Sequence, residues 1–197
     1  AAILLLRSIT LGLVMLIATI CLLPFAALPI DIGFSPTFLD LVLFALFFVW
    51  VSRIVTHQEV KFQADSPSLG VVLFAALCIV SFVAGMGHSA LSANVVRHFG
   101  EIVLSVLVFL LVINVVRTQA EVRLLTIVFL VAGGLAALLG VVLYYLPPLW
   151  TIRILSLLRI VRYPQGSEVL RYIEDNPDLA LRATSTSIDP NVLGGLL

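Results

Sequence analysis

The sequence predicts an all-α protein, a polytopic transmembrane helix bundle with interfacial helices, and three observations lead to that class. First, 61% of the residues are hydrophobic and 11% are charged, against roughly a quarter charged in soluble domains. Second, uncharged runs long enough to cross about 30 Å of hydrocarbon recur along the chain. In lipid the backbone of such a run must satisfy itself, which a helix does and an open strand does not. Third, the breaks between runs carry proline beside residues that cap helices. The 11 basic and 11 acidic side chains cancel, so the chain has no net basic field and nucleic acid is not expected as a partner.

The first span is expected near residues 8–28. Ser8 to Ile30 carries no charge, and Pro24 is placed to kink or stop the helix. The run is too long for the apolar part of a secretory leader and lacks a small-x-small cleavage site, so a retained helix is expected. A connection through Asp31, Gly33 and Pro36 leads to the second span, near 37–55. It opens on Thr37-Phe-Leu-Asp40, whose capping spacing assigns Asp40 to the helix dipole rather than to catalysis. The polar stretch 53–66, with His57, Glu59, Lys61 and Asp65, reads as a solvated loop. Ser66-Pro67 opens the third span, near 68–86, which ends at Gly85-Met-Gly87.

Residues 88–98 are too polar to cross, yet Leu91, Val95 and Val96 recur at near-helical spacing and are expected along the interface. His88 and His98 lack the i,i+4 spacing of a helical metal motif, and no metal or cofactor is expected. The fourth span, near 97–116, is expected to begin before Glu101 and either to tilt or to share that carboxylate with Arg97. After a tight loop from Arg117 to Arg123 comes the fifth span, near 124–146. Its Gly133, Gly134 and Gly140 offer small surfaces for close helix packing. Cys21 and Cys78 lie in apolar runs, where a thiol acts as a small hydrophobe.

Pro147-Pro148 ends the fifth span and opens an external loop, residues 147–189. Within it, Leu149 to Tyr163 spreads Arg153, Arg159 and Arg162 over half a helical wheel that also holds Leu155 and Ile160, the pattern of an interfacial helix. Ser167 to Asp175 reads as a short polar helix with Glu168/Arg171 and Arg171/Asp175 at ion-pair spacing. A hydroxyl-rich run, Thr184 to Ser187, then leads to a sixth span starting at residue 190. Asp189 is its expected N-cap, Pro190 its first helical residue and Asn191 the next. That N-terminus, preceded by Arg182, has two readings. It can hold an anionic headgroup on free N–H groups, or Asp189 can simply start a helix while Arg182 rests at the lipid phosphates. Arg97 and His98 likewise meet either a lipid-linked anion or the interface.

An N-in orientation puts Arg7, Arg53, Lys61, Arg117 and Arg123 in the cytoplasm and Arg97 outside, as the positive-inside rule prefers. The loop 147–189 then adds Arg153, Arg159, Arg162, Arg171 and Arg182 outside, against that rule. The short loops decide for N-in, and a cluster of external arginines suits a lipid-linked phosphate.

Three stretches carry a family resemblance. Arg182-Ala-Thr-Ser-Thr-Ser-Ile-Asp189-Pro190-Asn191-Val-Leu-Gly194-Gly195-Leu places an arginine, small residues, Pro-Asn and glycine at the start of a span. Val115-Val-Arg117-Thr-Gln-Ala-Glu121-Val-Arg123 precedes a glycine-containing span to Gly140. Phe34-Ser-Pro-Thr-Phe-Leu-Asp40 enters the second helix. Together they resemble the N-terminal portion of the bacterial O-antigen polymerase and O-antigen ligase superfamily, multi-pass glycosyltransferases of the cell envelope that make polysaccharide. The resemblance implies an undecaprenyl-diphosphate-linked glycan donor and a glycan or lipid acceptor at the outer face of the bacterial plasma (inner) membrane. It implies no cofactor. Arg182, with Arg97 and Arg171 behind it, would bind the lipid diphosphate. The main catalytic loop would follow later in a longer protein, so no general base is assigned. The alternative is a non-catalytic membrane subunit of a larger respiratory or photosynthetic complex, with protein partners in place of a substrate.

Overall fold

The apolar runs form helices whose ends are set by prolines and capping side chains. This is seen in a computed structural model that describes residues 9–30, 35–56, 66–87, 91–163, 166–176 and 178–197. The expectations for Arg7, His57, Glu59, Lys61, Asp65 and His88 fall outside the described residues. The helices are α1 (Ile9–Leu22), α2 (Phe38–Thr56), α3 (Ser66–Gly85), α4 (Ala93–Val115), α5 (Gln119–Tyr145), α6 (Pro148–Ser156) and α7 (Pro190–Leu196). Among the described residues there is no strand, only isolated antiparallel bridges pairing Ala27 with Thr37 and Tyr172 with Leu181. The protein is all-α.

Four helices, α2 to α5, are long and apolar enough to cross a membrane, so this is a multi-pass membrane protein. Between 11% and 22% of each apolar window is buried within the chain. The remainder points outward, as lipid-facing side chains do. At the first expected span, α1 is described from Ile9, where the described residues begin, and ends at Leu22. Pro24 is the reason, because it lacks an N–H and clashes with the preceding turn. The chain beyond it finds other partners. Ala27 N–H donates to the Val161 carbonyl (2.9 Å), and Phe38 N–H donates to that of Ala26 (2.8 Å).

The chain divides into two compact units, one of Ala1–Gly12, Ile32–Phe34 and Leu43–Val122, the other of Leu13–Asp31, Ser35–Val42 and Arg123–Leu197. In the first, α3 packs on α4, with the rings of Phe82 and Phe99 stacked at 3.9 Å between centroids. As expected, α4 starts before Glu101, whose Oε1 lies 2.8 Å from Arg97 Nη2. A capping box that the sequence reading passed over sits at the entry to α5. Thr118 N–H donates to Glu121 Oε2 (3.0 Å) while Glu121 N–H donates to Thr118 Oγ1 (3.2 Å). The box read at Thr37 and Asp40, in the second unit, forms the same way, with Thr37 N–H on Asp40 Oδ2 at 2.7 Å and Asp40 N–H on Thr37 Oγ1 at 3.1 Å. Such boxes satisfy orphan N–H donors at a helix start.

The core of the second unit holds Ala26, Leu143, Leu155, Tyr163, Val169 and Ile188. After α5, Pro147 caps α6, and Thr151 Oγ1 donates to the Leu143 carbonyl (3.0 Å), folding α6 back on the helix it leaves. With nine residues before a 3-10 turn, Leu157–Val161, this segment is too short to cross. The polar helix expected over 167–175 is instead a pair of 3-10 turns, Gly166–Val169 and Ile173–Asp175, with Glu174 left-handed at φ 54°. A left-handed residue cannot continue a right-handed helix.

Glycine packing is realised at one of the three expected positions. A Cβ on Gly140 would lie 3.1 Å from Leu193 Cδ2 and 3.6 Å from Ser185 Cβ, whereas Gly133 and Gly134 would meet nothing within 4 Å. Gly140→Leu should therefore lower stability in detergent by about 1–3 kcal/mol through overpacking. Gly134→Leu should leave it unchanged, and thermal unfolding of the two variants side by side checks the difference.

Candidate functional site

Three segments of the second unit converge on a cleft of about 310 Å³ lined by Phe25, Arg162, Arg171, Ser187, Ile188 and Asp189. Phe25 comes from the turn that Pro24 forces after α1. Its N–H donates to the Tyr163 hydroxyl at 3.4 Å, which joins this turn to the residue following Arg162. Arg162 itself ends the 3-10 turn in left-handed conformation, φ 57° and ψ 29°. Its Nη1 donates to Ser35 Oγ at 2.6 Å.

Arg171 and Arg182 are brought side by side. Arg182 N–H donates to the Arg171 carbonyl (2.8 Å) and Ile173 N–H to that of Ala180 (3.1 Å), so the chain doubles back through Asn176. Among the described residues no side chain hydrogen-bonds or ion-pairs with Arg171; the expected partners Glu168 and Asp175 have side chains outside that set. Arg182 does not line the cleft. Its Nη2 donates to Asn191 Oδ1 at 2.9 Å, tying the doubled-back segment to α7.

The third wall is the loop before α7. Ser185 is fully buried and donates from Oγ to the Ala136 carbonyl of α5 at 2.8 Å. Ser187 Oγ donates to the Thr184 carbonyl at 3.0 Å. Ile188 is held at φ 56°, a region that a β-branched side chain rarely enters and that typically costs about 1–3 kcal/mol. Its burial in the core at 4% exposure offsets that strain. Two cleft residues, Arg162 and Ile188, are thus left-handed, and such strain concentrates at functional sites.

Asp189 caps α7 as expected, with Pro190 first in the helix. Asn191 N–H, the first donor the helix has to offer, is already taken by Asp189 Oδ1 at 2.8 Å. At the expected anion cradle on Asp189, Pro190 and Asn191, the Asp189 carboxylate thus opposes a second anion. Arg97 belongs to the other unit, where Glu101 matches its charge at 2.8 Å and also lies 2.9 Å from His98 Nδ1. The residue that sequence reasoning missed is Arg162, grouped there with the interfacial cations. Its signal is position, since Tyr163-Pro164 must stop the helix directly after it.

Two arginines and one aspartate line the cleft, together with a serine and an aromatic residue. That arrangement fits an anion with several oxygens, because each guanidinium offers a planar fork of donors. Comparison with protein-family models, with curated proteins and with solved structures finds no match to this chain.

Burial pushes the Tyr163 hydroxyl up to about 12, against the opposing pull of the Phe25 N–H. The folded state then keeps the phenol proton in a range where the unfolded chain, with its ordinary value near 10, has released it. Stability in detergent should be level in this respect below pH ~10 and fall as pH rises from ~10 towards ~12. Thermal unfolding across that window should show a smaller fall in Tyr163→Phe. An equal fall in both proteins would remove Tyr163 as its cause.

Proposed function

We propose that the chain is part of a membrane glycosyltransferase of the O-antigen polymerase or ligase type, and that the cleft holds the diphosphate of an undecaprenyl-linked glycan donor. One observation carries the proposal: Arg162 and Arg171, from separate turns, open into a single cleft on a multi-pass membrane protein. In the reaction, the bond from the glycan anomeric carbon to the diphosphate oxygen breaks while an acceptor hydroxyl bonds to that carbon. Its proton passes to a general base, and lipid diphosphate leaves. Charge builds on the leaving diphosphate oxygen, where fixed guanidinium donors stabilise the transition state more than the ground state. Arg162 and Arg171 would make those contacts. Arg182, held by Asn191, would fix the segment that carries Arg171 and add charge behind it. Arg97, matched by Glu101, has no part in this reading. The cleft would then lie at the outer face of a bacterial plasma membrane, with the N-terminus cytoplasmic.

The test is glycan transfer by the full-length protein in vesicles that contain lipid-linked donor. Lysine keeps the charge at Arg162 or Arg171 but loses the planar fork, so each Arg→Lys variant should lose roughly tenfold or more in transfer while inserting normally. Wild-type rates in both would leave the arginines as interfacial anchors. The second reading, a non-catalytic subunit, is favoured by the mostly outward-facing surface of α3, whose apolar window is 11% buried. Absence of transfer by the unaltered protein, together with stable association with other membrane proteins, would decide for it. Orientation is checked separately: Glu174→Cys, at an exposed position, should react with an impermeant maleimide added outside intact cells. Reaction only after lysis would reverse the topology.

A further inference from the structure

The segment from Pro148 to Val161 turns a second, unused surface outward. We infer that this segment is a docking surface for the headgroups of anionic phospholipids. The inference stands apart from the proposed transferase reading. The inner side of the segment is fixed, with Thr151 bonded to the Leu143 carbonyl and Leu155 buried at 1% exposure, so the outer side has a defined composition. Leu149, Trp150, Leu157 and Ile160 stand out from it at 74%, 55%, 72% and 80% exposure. Arg153 and Arg159 are exposed among them, and the Arg153 guanidinium lies 5.5 Å from the Trp150 ring centroid. From Pro148 to Tyr163 the sequence holds Arg153, Arg159 and Arg162 and no acidic residue.

Apolar side chains of this size would be unfavourable in water, and arginine would be unfavourable inside hydrocarbon. Side by side on one face, they fit the boundary between the two, where leucine, isoleucine and tryptophan enter the upper acyl region while guanidinium groups reach phosphate. Continuity fixes the depth. Only Leu146 and Pro147 separate α6 from α5, a helix long enough to span, so the surface cannot stand far from the membrane. The unbalanced cations select the leaflet chemistry, because an anionic surface attracts basic groups within a Debye length and a zwitterionic one does not.

The probe is Trp150 in Trp50→Phe protein, reconstituted in vesicles of phosphatidylcholine alone or mixed with phosphatidylglycerol. Should Trp50→Phe fail to fold, an environment-sensitive fluorophore on Leu157→Cys replaces it, in protein with Trp50 intact and its other cysteines, Cys21 and Cys78 among them, changed to alanine. Lipids brominated in the upper acyl chain should remove about half or more of the emission, and aqueous acrylamide little, as an interfacial side chain requires. Quenching should be stronger in the anionic vesicles, and Arg153→Glu with Arg159→Glu should abolish that excess. Three results would each overturn the inference. Quenching by acrylamide and not by brominated lipid places the surface in water. Protection from both shows that a protein, whether a second copy or another partner, covers it. Equal lipid quenching in neutral and anionic vesicles leaves apolar contact without headgroup recognition.

Discussion

Ser185 packs on the side of α5 beside Gly140, where an added Cβ would lie 3.6 Å from Ser185 Cβ. A methyl at that point would crowd the end of the Leu193 side chain at 3.1 Å, so α5, this loop and α7 pack closely around it. The close approach lets Ser185 Oγ bond to the Ala136 carbonyl and seals a buried hydroxyl that would otherwise lack a partner. Everything after Ser185 inherits its position from this contact. Ser187, Ile188 and Asp189 wall the cleft within the next four residues, and the left-handed turn at Ile188 is tolerated because the side chain it redirects is core. The cleft rests on a helix flank, a firmer base than a free loop provides.

The other two walls depend on chain breaks of a different kind. Pro24 ends α1 early, and the freed backbone of Ala26 and Ala27 bonds to Phe38 and Val161. In a chain with so little water-facing surface, backbone groups released by a proline must find protein partners. Here those partners are the start of α2 at Phe38 and the turn that carries Arg162, and Phe25 is fixed with the backbone they hold. Tyr163 serves the same joint from the side-chain direction, its hydroxyl accepting the Phe25 N–H while its ring fills the core. The strain at Arg162 is thus held by neighbours on both sides.

Charge is distributed with equal economy. Where an arginine lies near a carboxylate at helical spacing, as with Arg97 and Glu101, the pair is satisfied locally and has little left to offer a ligand. Where the chain turns sharply, as at Arg162 and Arg171, cations from distant positions meet in one cleft. Arg162 also ends the segment whose outer face carries Trp150 and Arg153, so cleft and outer face are parts of one continuous piece of chain after α5.

The sequence by itself determined the fold class, the long apolar runs of α2 to α5 and the caps at Thr37 and Asp189. It also determined the pairing of Arg97 with Glu101. Each of these rests on residues within about one helical turn of one another, so spacing alone expresses the physics. The Thr118 and Glu121 box was equally legible and was overlooked. Only the tertiary structure decided that α1 stops at Leu22, that Gly140 and not Gly133 or Gly134 is the packing glycine, that Asp189 takes the first N–H of α7, and that Arg162 lines the cleft. Phe25 and Tyr163 meet across 138 residues. No periodicity encodes such a meeting, because its stability comes from closing a long loop over a shared core, and that depends on every segment packed there.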